Sequence, residues 1–252
     1  PYGVFLHLGV VGLKHIFFTI LLTLLFYFPG VMYAMNIIDK VDKPTAPKSE
    51  SFLDNIDTFK LSKFILNLED TILNNTSVSS KSVGTVDGYT GLGANSLTSR
   101  YQSFNIFNYI NKEFEILKFK KEIRKIYNSF LEYNDLSELI TKPTVIQCWA
   151  NVMRKGQKIK THIHDTGPQS YLSGHFCVQT NKTSTFYLNP INQINDPEIF
   201  ESENEPGKLT IFQNSVPHFT SVYEGNTERI SIAFDISLDV KTKAEQDCFV
   251  EF

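Results

Sequence analysis

The stretch from Arg229 to Ser237 reads RISIAFDIS, with a large apolar residue at every second position. Side chains alternate across an extended strand, so its three isoleucines and its phenylalanine share one face. Arg229, Ser231 and Ala233 then share the other face. The stretch predicts a β-strand that packs one side on a hydrophobic core and presents an arginine and a serine on the opposite side.

Shorter runs of the same kind precede this strand. They are rich in β-branched and aromatic residues, and turn signals such as Gly167-Pro168 and Pro206-Gly207 separate them. Short strands at this spacing are typical of an all-β sandwich or barrel. The runs predicted as strands are Thr144–Met153, Tyr171–Gln179, Thr185–Leu188, Leu209–Phe212 and Phe219–Tyr223.

The chain before this β region has a helical pattern. Asp57–Asn74 and Lys112–Tyr133 carry apolar residues at intervals of three and four. Asn75–Ser99 is rich in Ser, Thr and Gly and predicts a long loop, and residues 36–56 predict a linker or an extended lead-in. We expect a boundary near residue 142, between a helical part (residues 35–142) and a β domain (residues 143–240) with the helices outside it. Residues 241–252 are expected to be a C-terminal tail.

Residues 1–34 differ from the rest of the chain. Ile16–Ala34 has no charged residue and approaches the length of a membrane span. Three interpretations stay open: a membrane anchor through residues 13–34, a signal peptide, or upstream sequence that the working protein does not contain.

Composition excludes several functional classes. The 252 residues are 42% hydrophobic and 20% charged, which is typical of a globular protein with a substantial core. A net charge of −3 gives no electrostatic footprint for nucleic acid. The three cysteines lack CxxC spacing, which disfavours a disulfide framework or a thiolate zinc site. A reducing compartment is therefore expected, and we predict a cytoplasmic protein, or a membrane-anchored one if residues 1–34 are real.

Histidines mark the candidate site. Residues 160–165 read KTHIHD, and His162 and His164 point to one side if this stretch is extended. A third imidazole, His218, comes from a distant loop. Three imidazoles on one side of a metal leave its other side open, as an oxygen-activating iron site requires. His175 and His7 are interpreted as structural.

Arg229 follows His218 by eleven residues, across a turn at Gly225-Asn226. If Phe219–Tyr223 and the strand beginning at Arg229 form a hairpin, the arginine returns to the same end of the barrel as His218. A guanidinium is a planar fork that fits a carboxylate, and the Ser231 hydroxyl adds a hydrogen bond. A dicarboxylate bound beside a metal is one interpretation; a solvent-facing arginine on an edge strand is the other.

Six segments together resemble the iron(II)/2-oxoglutarate-dependent oxygenases, over roughly residues 145–238. The resemblance implies a mainly β fold with flanking helices (α+β), in which the strands form a double-stranded β-helix (jelly-roll) barrel. It also implies Fe(II), O2 and 2-oxoglutarate, with cleavage of 2-oxoglutarate to succinate and carbon dioxide coupled to oxidation of a substrate C–H bond. The segments are Cys148–Asn151, His162–His164, Leu172–Gly174, Leu209–Phe212, Pro217-His218 and Arg229–Ile232.

The resemblance also implies roles for individual residues. His162 and His218 would bind the metal, and Arg229 with Ser231 would bind the distal carboxylate of 2-oxoglutarate. Asn151 and Tyr171 are further candidates to line that pocket.

The second ligand departs from the family pattern. The family uses His-x-Asp or His-x-Glu, whereas this chain has His164 at the carboxylate position, followed by Asp165. Strand alternation favours His164, and a kinked strand would favour Asp165.

We therefore predict a dioxygenase that hydroxylates a small molecule or an amino-acid or peptide substrate. One alternative is a cupin-like metal dioxygenase or isomerase that does not use 2-oxoglutarate. Another is a non-catalytic barrel that binds a ligand. The loops Asn75–Ser99 and Gln193–Glu205 would select the substrate.

Overall fold

The computed structural model describes residues 50–75, 90–164, 170–189, 198–238 and 248–252. These residues form two α-helices, nine strands and three short 3-10 turns. In chain order they are β1 (Glu50–Phe52), α1 (Thr58–Asn75), α2 (Phe114–Tyr133), β2 (Val145–Met153), β3 (Ser170–Gln179), β4 (Thr183–Leu188), β5 (Ile199–Asn204), β6 (Lys208–Gln213), β7 (His218–Thr220), β8 (Arg229–Ser237) and β9 (Phe249–Glu251).

The strands build two antiparallel sheets. The large sheet has the order β1-β6-β3-β8-β2-β9, and the small sheet has the order β5-β4-β7. Side chains from both sheets meet in a shared interior, since Arg229 of β8 donates to Thr183 of β4. The predicted fold class is confirmed: a double-stranded β-helix with the helices outside it.

Strand β8 is the centre of the large sheet. It lies between β3 and β2, and all nine of its residues are buried. Its apolar face belongs to the same hydrophobic cluster as α1 and α2, where Phe119 of α2 packs on Phe176 of β3 at a ring distance of 4.8 Å. The opposite face of β8 looks into the barrel. The alternation predicted from RISIAFDIS is therefore present in the fold.

Both predicted helices are confirmed within a few residues. Their buried residues recur at helical spacing, as in Leu61, Ile65 and Leu68 of α1. Glu113 caps α2 by accepting a hydrogen bond from the backbone N–H of Glu115. The helices share one hydrophobic cluster with the sheet, and the boundary near residue 142 stays a prediction.

The predicted hairpin between Phe219–Tyr223 and the last long strand is wrong. Strand β7 pairs with β4 in the small sheet, whereas β8 pairs with β2 and β3 in the large sheet. The chain between β7 and β8 therefore crosses from one sheet to the other. Arg229 nevertheless points inward, because the phase of β8 is set by its apolar face.

Three short strands lie in segments that were predicted as irregular. Strand β1 falls in the predicted linker, β5 in the predicted loop Gln193–Glu205, and β9 in the predicted tail. In β5 the two buried residues are the polar Ser202 and Asn204, so the strand has no apolar alternation to reveal it. Strand β9 is three residues long and pairs with the edge of β2.

Two predictions fall partly or wholly outside the described residues. The hydrophobic segment of residues 1–34 is one, and most of the predicted loop Asn75–Ser99 is the other. Within the described ranges, neither helix combines the length and the apolar character that a membrane crossing requires.

Candidate metal centre

The structure brings His162, His164 and His218 together. One potential ligand nitrogen from each ring lies within 4.8 Å of the other two. The backbones of His162 and His218 form a bridge, with N–H···O distances of 3.1 and 3.0 Å, and the His164 N–H donates to Asn214 at 3.0 Å. These bonds fix the segment of residues 162–164 beside the start of β7, so the cluster is held by backbone contacts as well as by its side chains.

Each of the three rings is oriented by a hydrogen-bond acceptor behind it. The Nδ1 atoms of His162 and His218 contact the carbonyl oxygens of Lys160 (2.8 Å) and Val216 (3.0 Å). The Nδ1 atom of His164 contacts a carboxylate oxygen of Asp235 at 2.5 Å. Carbonyl and carboxylate oxygens accept, so the Nδ1 atoms donate. This leaves the Nε2 lone pair of each ring free for a shared ion.

Burial keeps His162 and His218 neutral near pH 7. It lowers the pKa of His162 to about 4, with a further contribution from His164. It also lowers the pKa of His218 well below its usual value, and the nearby His164 and His162 lower this pKa further. A neutral imidazole is the form that binds a metal. The donor set of three imidazole nitrogens fits a divalent transition metal, Fe(II) included.

Aromatic side chains hold the cluster in place. Trp149 and Phe212 pack against His164 at ring distances of 5.6 and 5.8 Å, and Phe212 also meets His218 edge-on at 4.7 Å. Tyr187 also stacks on His218, at a ring distance of 5.8 Å. These contacts restrict the rings and keep water from their sides.

The choice between His164 and Asp165 stays a prediction. Asp165 lies outside the described residues. Within the described part of the chain, the only group of His, Cys, Asp or Glu side chains with metal-ligand spacing is the histidine trio.

Arg229 points into the barrel and is almost completely enclosed, with 1% of its surface exposed. Its Nε donates to Thr183 Oγ1 at 3.2 Å and its Nη1 to Ser231 Oγ at 3.3 Å, and it touches the sulfur of Met153. No carboxylate of a described residue forms an ion pair with it. Burial lowers its pKa, yet a guanidinium stays protonated in proteins. The barrel therefore holds a positive charge without a negative partner from the described chain.

Arg229 is coupled to the histidine trio through an electrostatic interaction with His175 and two further contacts. The charge of Arg229 helps to lower the pKa of His175 to about 3, after burial as the main cause. His175 Nε2 contacts the hydroxyl of Tyr187 at 2.7 Å, and Tyr187 stacks on His218. The buried atoms His175 Nδ1 and Thr210 Oγ1 have no hydrogen-bond partner. The interior therefore offers polar atoms and a cation that a bound molecule can satisfy.

The other two pocket candidates have different surroundings. Asn151 lies directly across from Ser231 in the β2–β8 register, so it shares the inner face with Arg229. Its side chain accepts a hydrogen bond from the Thr98 hydroxyl at 2.5 Å. Tyr171 does not join this group. The β3–β8 register shifts between Ser170 and Leu172, and the Tyr171 hydroxyl contacts that of Tyr127 on α2. The prediction that Tyr171 lines the pocket is corrected here.

Two residues of the site were missed from the sequence. Asp235 shares the inner face of β8 with Arg229 at a separation of six residues, so strand alternation alone could have identified it. Thr183 had no such signal, because its contact with Arg229 depends on how the small sheet faces the large one.

Comparison with known proteins gives a family match over the β region. The family model described as "Putative 2OG-Fe(II) oxygenase" matches residues 147–235, which include the three histidines and Arg229. No curated protein matches the chain.

Similar solved structures cover part of the chain. An oxidoreductase of the 2OG-Fe(II) oxygenase family from Burkholderia pseudomallei is 18% identical over 45% of this chain and 57% of its own, with a TM-score of 0.32. The non-heme alpha ketoglutarate dependent epimerase SnoN from nogalamycin biosynthesis is 11% identical over 40% and 50%, with a TM-score of 0.32. An oxalate oxidase in complex with the substrate analogue glycolate is 16% identical over 37% and 43%, with a TM-score of 0.30.

The chain spans about half the length of these structures. The family match over residues 147–235 confirms the resemblance inferred from the sequence over residues 145–238.

Proposed function

We propose that the chain is an iron(II)- and 2-oxoglutarate-dependent dioxygenase that hydroxylates a small molecule or an amino-acid or peptide substrate. One observation carries the proposal: one ring nitrogen from each of three histidines lies within 4.8 Å of the other two, in the same barrel that encloses an arginine without a carboxylate partner among the described residues. A metal and an anion are the two ligands that these features fit. 2-Oxoglutarate supplies two carboxylates, one for each.

The histidines would hold the iron. His162, His164 and His218 each present Nε2 while an acceptor fixes Nδ1, so the three rings need little reorganisation to bind an ion. Ferrous iron held there supplies the centre at which O2 is activated for oxidation of the substrate. The three imidazoles would hold the ion, and the 2-oxo acid and O2 would bind to the same ion.

Arg229 would receive the distal carboxylate of 2-oxoglutarate. Its guanidinium is held by Thr183 and Ser231, one from each sheet, so it is oriented before the anion arrives. Burial excludes water from this pair, and the low local dielectric strengthens the attraction. The balanced reaction places one oxygen atom of O2 in succinate and the other in the hydroxylated product, with loss of carbon dioxide.

The donor set also supports a second candidate. Three imidazoles carry no negative charge, which fits a cupin-like metal enzyme that acts without 2-oxoglutarate. In that enzyme Arg229 would bind the carboxylate of the substrate itself. The two candidates differ in whether 2-oxoglutarate is consumed.

Succinate release tests the proposal. Purified chain with ferrous iron, ascorbate, 2-oxoglutarate and O2 is screened against pools of amino acids, peptides and small metabolites, and succinate is measured. We expect succinate to form, to increase with the correct substrate, and to disappear in His218→Phe. Iron binding without 2-oxoglutarate consumption by any pool would favour the cupin-like candidate.

A further inference from the structure

Asp235 lies directly behind the histidine trio. It sits on the inner face of β8, with 7% of its surface exposed. One of its carboxylate oxygens accepts from His164 Nδ1 at 2.5 Å and from the Ser173 hydroxyl at 2.7 Å. Ser173 is its cross-strand neighbour in the β3–β8 register, so the sheet itself places this hydroxyl. The position of the carboxylate is therefore determined by the backbone.

Among the described residues, the carboxylate of Asp235 has no lysine or arginine partner. Its side chain accepts hydrogen bonds from His164 and Ser173. The other two rings of the trio have only neutral carbonyl oxygens behind them. Asp235 is thus the one carboxylate among the described residues that contacts the trio.

We propose that Asp235 is a positioning residue of the metal centre, which orients His164 and supplies the anionic charge that three neutral imidazoles lack. This inference rests on the proposed metal site. A divalent ion bound to three neutral imidazoles in a buried barrel has no counter-charge among those three protein ligands. The Asp235 carboxylate, one imidazole ring away, provides that charge.

The two parts of this role can be separated chemically. A carboxylate behind a ligating imidazole fixes the tautomer and makes Nε2 a stronger donor to the metal. In Asp235→Asn, the amide oxygen can still accept from His164 Nδ1, so orientation is retained while the charge is lost. In Asp235→Leu, both the acceptor and the charge are lost. The difference between the two variants measures orientation, and the first variant alone measures charge.

Glu115→Gln is a matched control. Glu115 is a carboxylate with 3% of its surface exposed that also accepts hydrogen bonds, but its partners are Lys118 and the Asp57 N–H, at the start of α2. The substitution removes one buried negative charge from the helical layer and leaves the barrel interior unchanged. Any effect common to Glu115→Gln and Asp235→Asn reflects general stability or net charge.

Metal affinity measured without turnover tests the inference. Cobalt(II) is titrated into the wild type and the variants, with its visible absorption as the readout, and ferrous iron is measured anaerobically by competition. We expect Asp235→Asn to weaken metal binding by about 10- to 100-fold and to shift the cobalt absorption. Asp235→Leu should weaken it further, and Glu115→Gln should match the wild type. Circular dichroism checks that each variant is folded. If Asp235→Leu does not fold, Asp235→Asn alone tests the inference.

Two outcomes would overturn the inference: equal affinity and spectrum in Asp235→Asn and the wild type, or an equal loss in Glu115→Gln. A wild type that binds neither metal would instead overturn the proposed function, so the two failures are distinguishable.

Discussion

Arg229 of the large sheet donates to Thr183 of the small sheet at 3.2 Å, and this bond crosses the interior of the barrel. The guanidinium is fully enclosed, and no described carboxylate neutralises it. An unpaired buried charge is unfavourable for folding. Its presence is explained if the charge is neutralised by an anionic ligand.

Replacing Arg229 with an apolar residue should weaken the binding of 2-oxoglutarate without lowering the free energy of unfolding. We expect Arg229→Met to have a free energy of unfolding equal to or higher than that of the wild type, by up to about 2 kcal/mol, because an apolar side chain replaces an unpaired charge. In the wild type, 2-oxoglutarate at 100 times its dissociation constant should add about 2.7 kcal/mol, and Arg229→Met should lose this gain. Denaturant unfolding with and without 2-oxoglutarate measures both quantities. A variant that is destabilised yet still stabilised by 2-oxoglutarate would contradict the assignment.

The iron itself should depend on His218. His218→Phe keeps an aromatic ring between Phe212 and Tyr187 but removes the nitrogen. We expect the affinity for ferrous iron to fall by more than about 100-fold, beyond the usual effect of losing an outer-shell partner. His175→Phe is the control, because it removes a histidine from the same barrel but outside the trio. Anaerobic equilibrium dialysis measures the iron affinity of both variants. Iron binding by His218→Phe with the affinity of the wild type would contradict the assignment of His218 as a ligand.

The close approach of β3 to its neighbours should make Gly174 intolerant of substitution. A Cβ atom at this position would lie 2.3 Å from the Phe234 ring and 2.6 Å from the carbonyl oxygen of Thr210. We expect Gly174→Ala to lower the free energy of unfolding by about 2–3 kcal/mol. Adding Phe234→Leu should recover part of this loss, because it relieves the ring contact but not the backbone contact. Thermal or denaturant unfolding of the single and double variants tests this. A Gly174→Ala variant as stable as the wild type would show that the neighbouring groups can move enough to accommodate the added methyl group.

Stability should fall in acid because of His175. Its pKa is lowered from 6.5 to about 3, mainly by burial. Between these two values the unfolded chain binds a proton that the folded chain does not, so the free energy of unfolding decreases as the pH falls from about 6.5 to about 3. The slope from this group is at most about 1.4 kcal/mol per pH unit. Metal-free His175→Gln should show a shallower pH dependence than the metal-free wild type; parallel curves would argue against the pKa shift.

Much of the barrel could be predicted because its strands alternate. The pattern of β8 predicted its boundaries and placed Arg229 on the face opposite the apolar residues, and the spacing of His162 and His164 placed both rings on one side. Strand β5 was missed because polar Ser202 and Asn204 are its buried residues. Polar residues can face inward there because this part of the interior is itself polar.

The errors arise where local pattern does not determine pairing. The sequence of β7 is compatible with either sheet, so its proximity along the chain to β8 suggested a hairpin that the fold does not contain. The family resemblance implied that Tyr171 lines the pocket, and the register shift beside it turns its side chain toward α2 instead. Thr183 could be found only after the two sheets were brought together.

The most direct test is an anaerobic titration of the wild type with ferrous iron and then with 2-oxoglutarate, followed by visible absorption. Chelation of 2-oxoglutarate to iron held by His162, His164 and His218 should give a weak charge-transfer band that saturates with one iron and one 2-oxoglutarate per chain. Arg229→Met should bind the iron but require a much higher concentration of 2-oxoglutarate to give the band. Absence of the band in the iron-loaded wild type, or its appearance at the same concentration in Arg229→Met, would contradict the account.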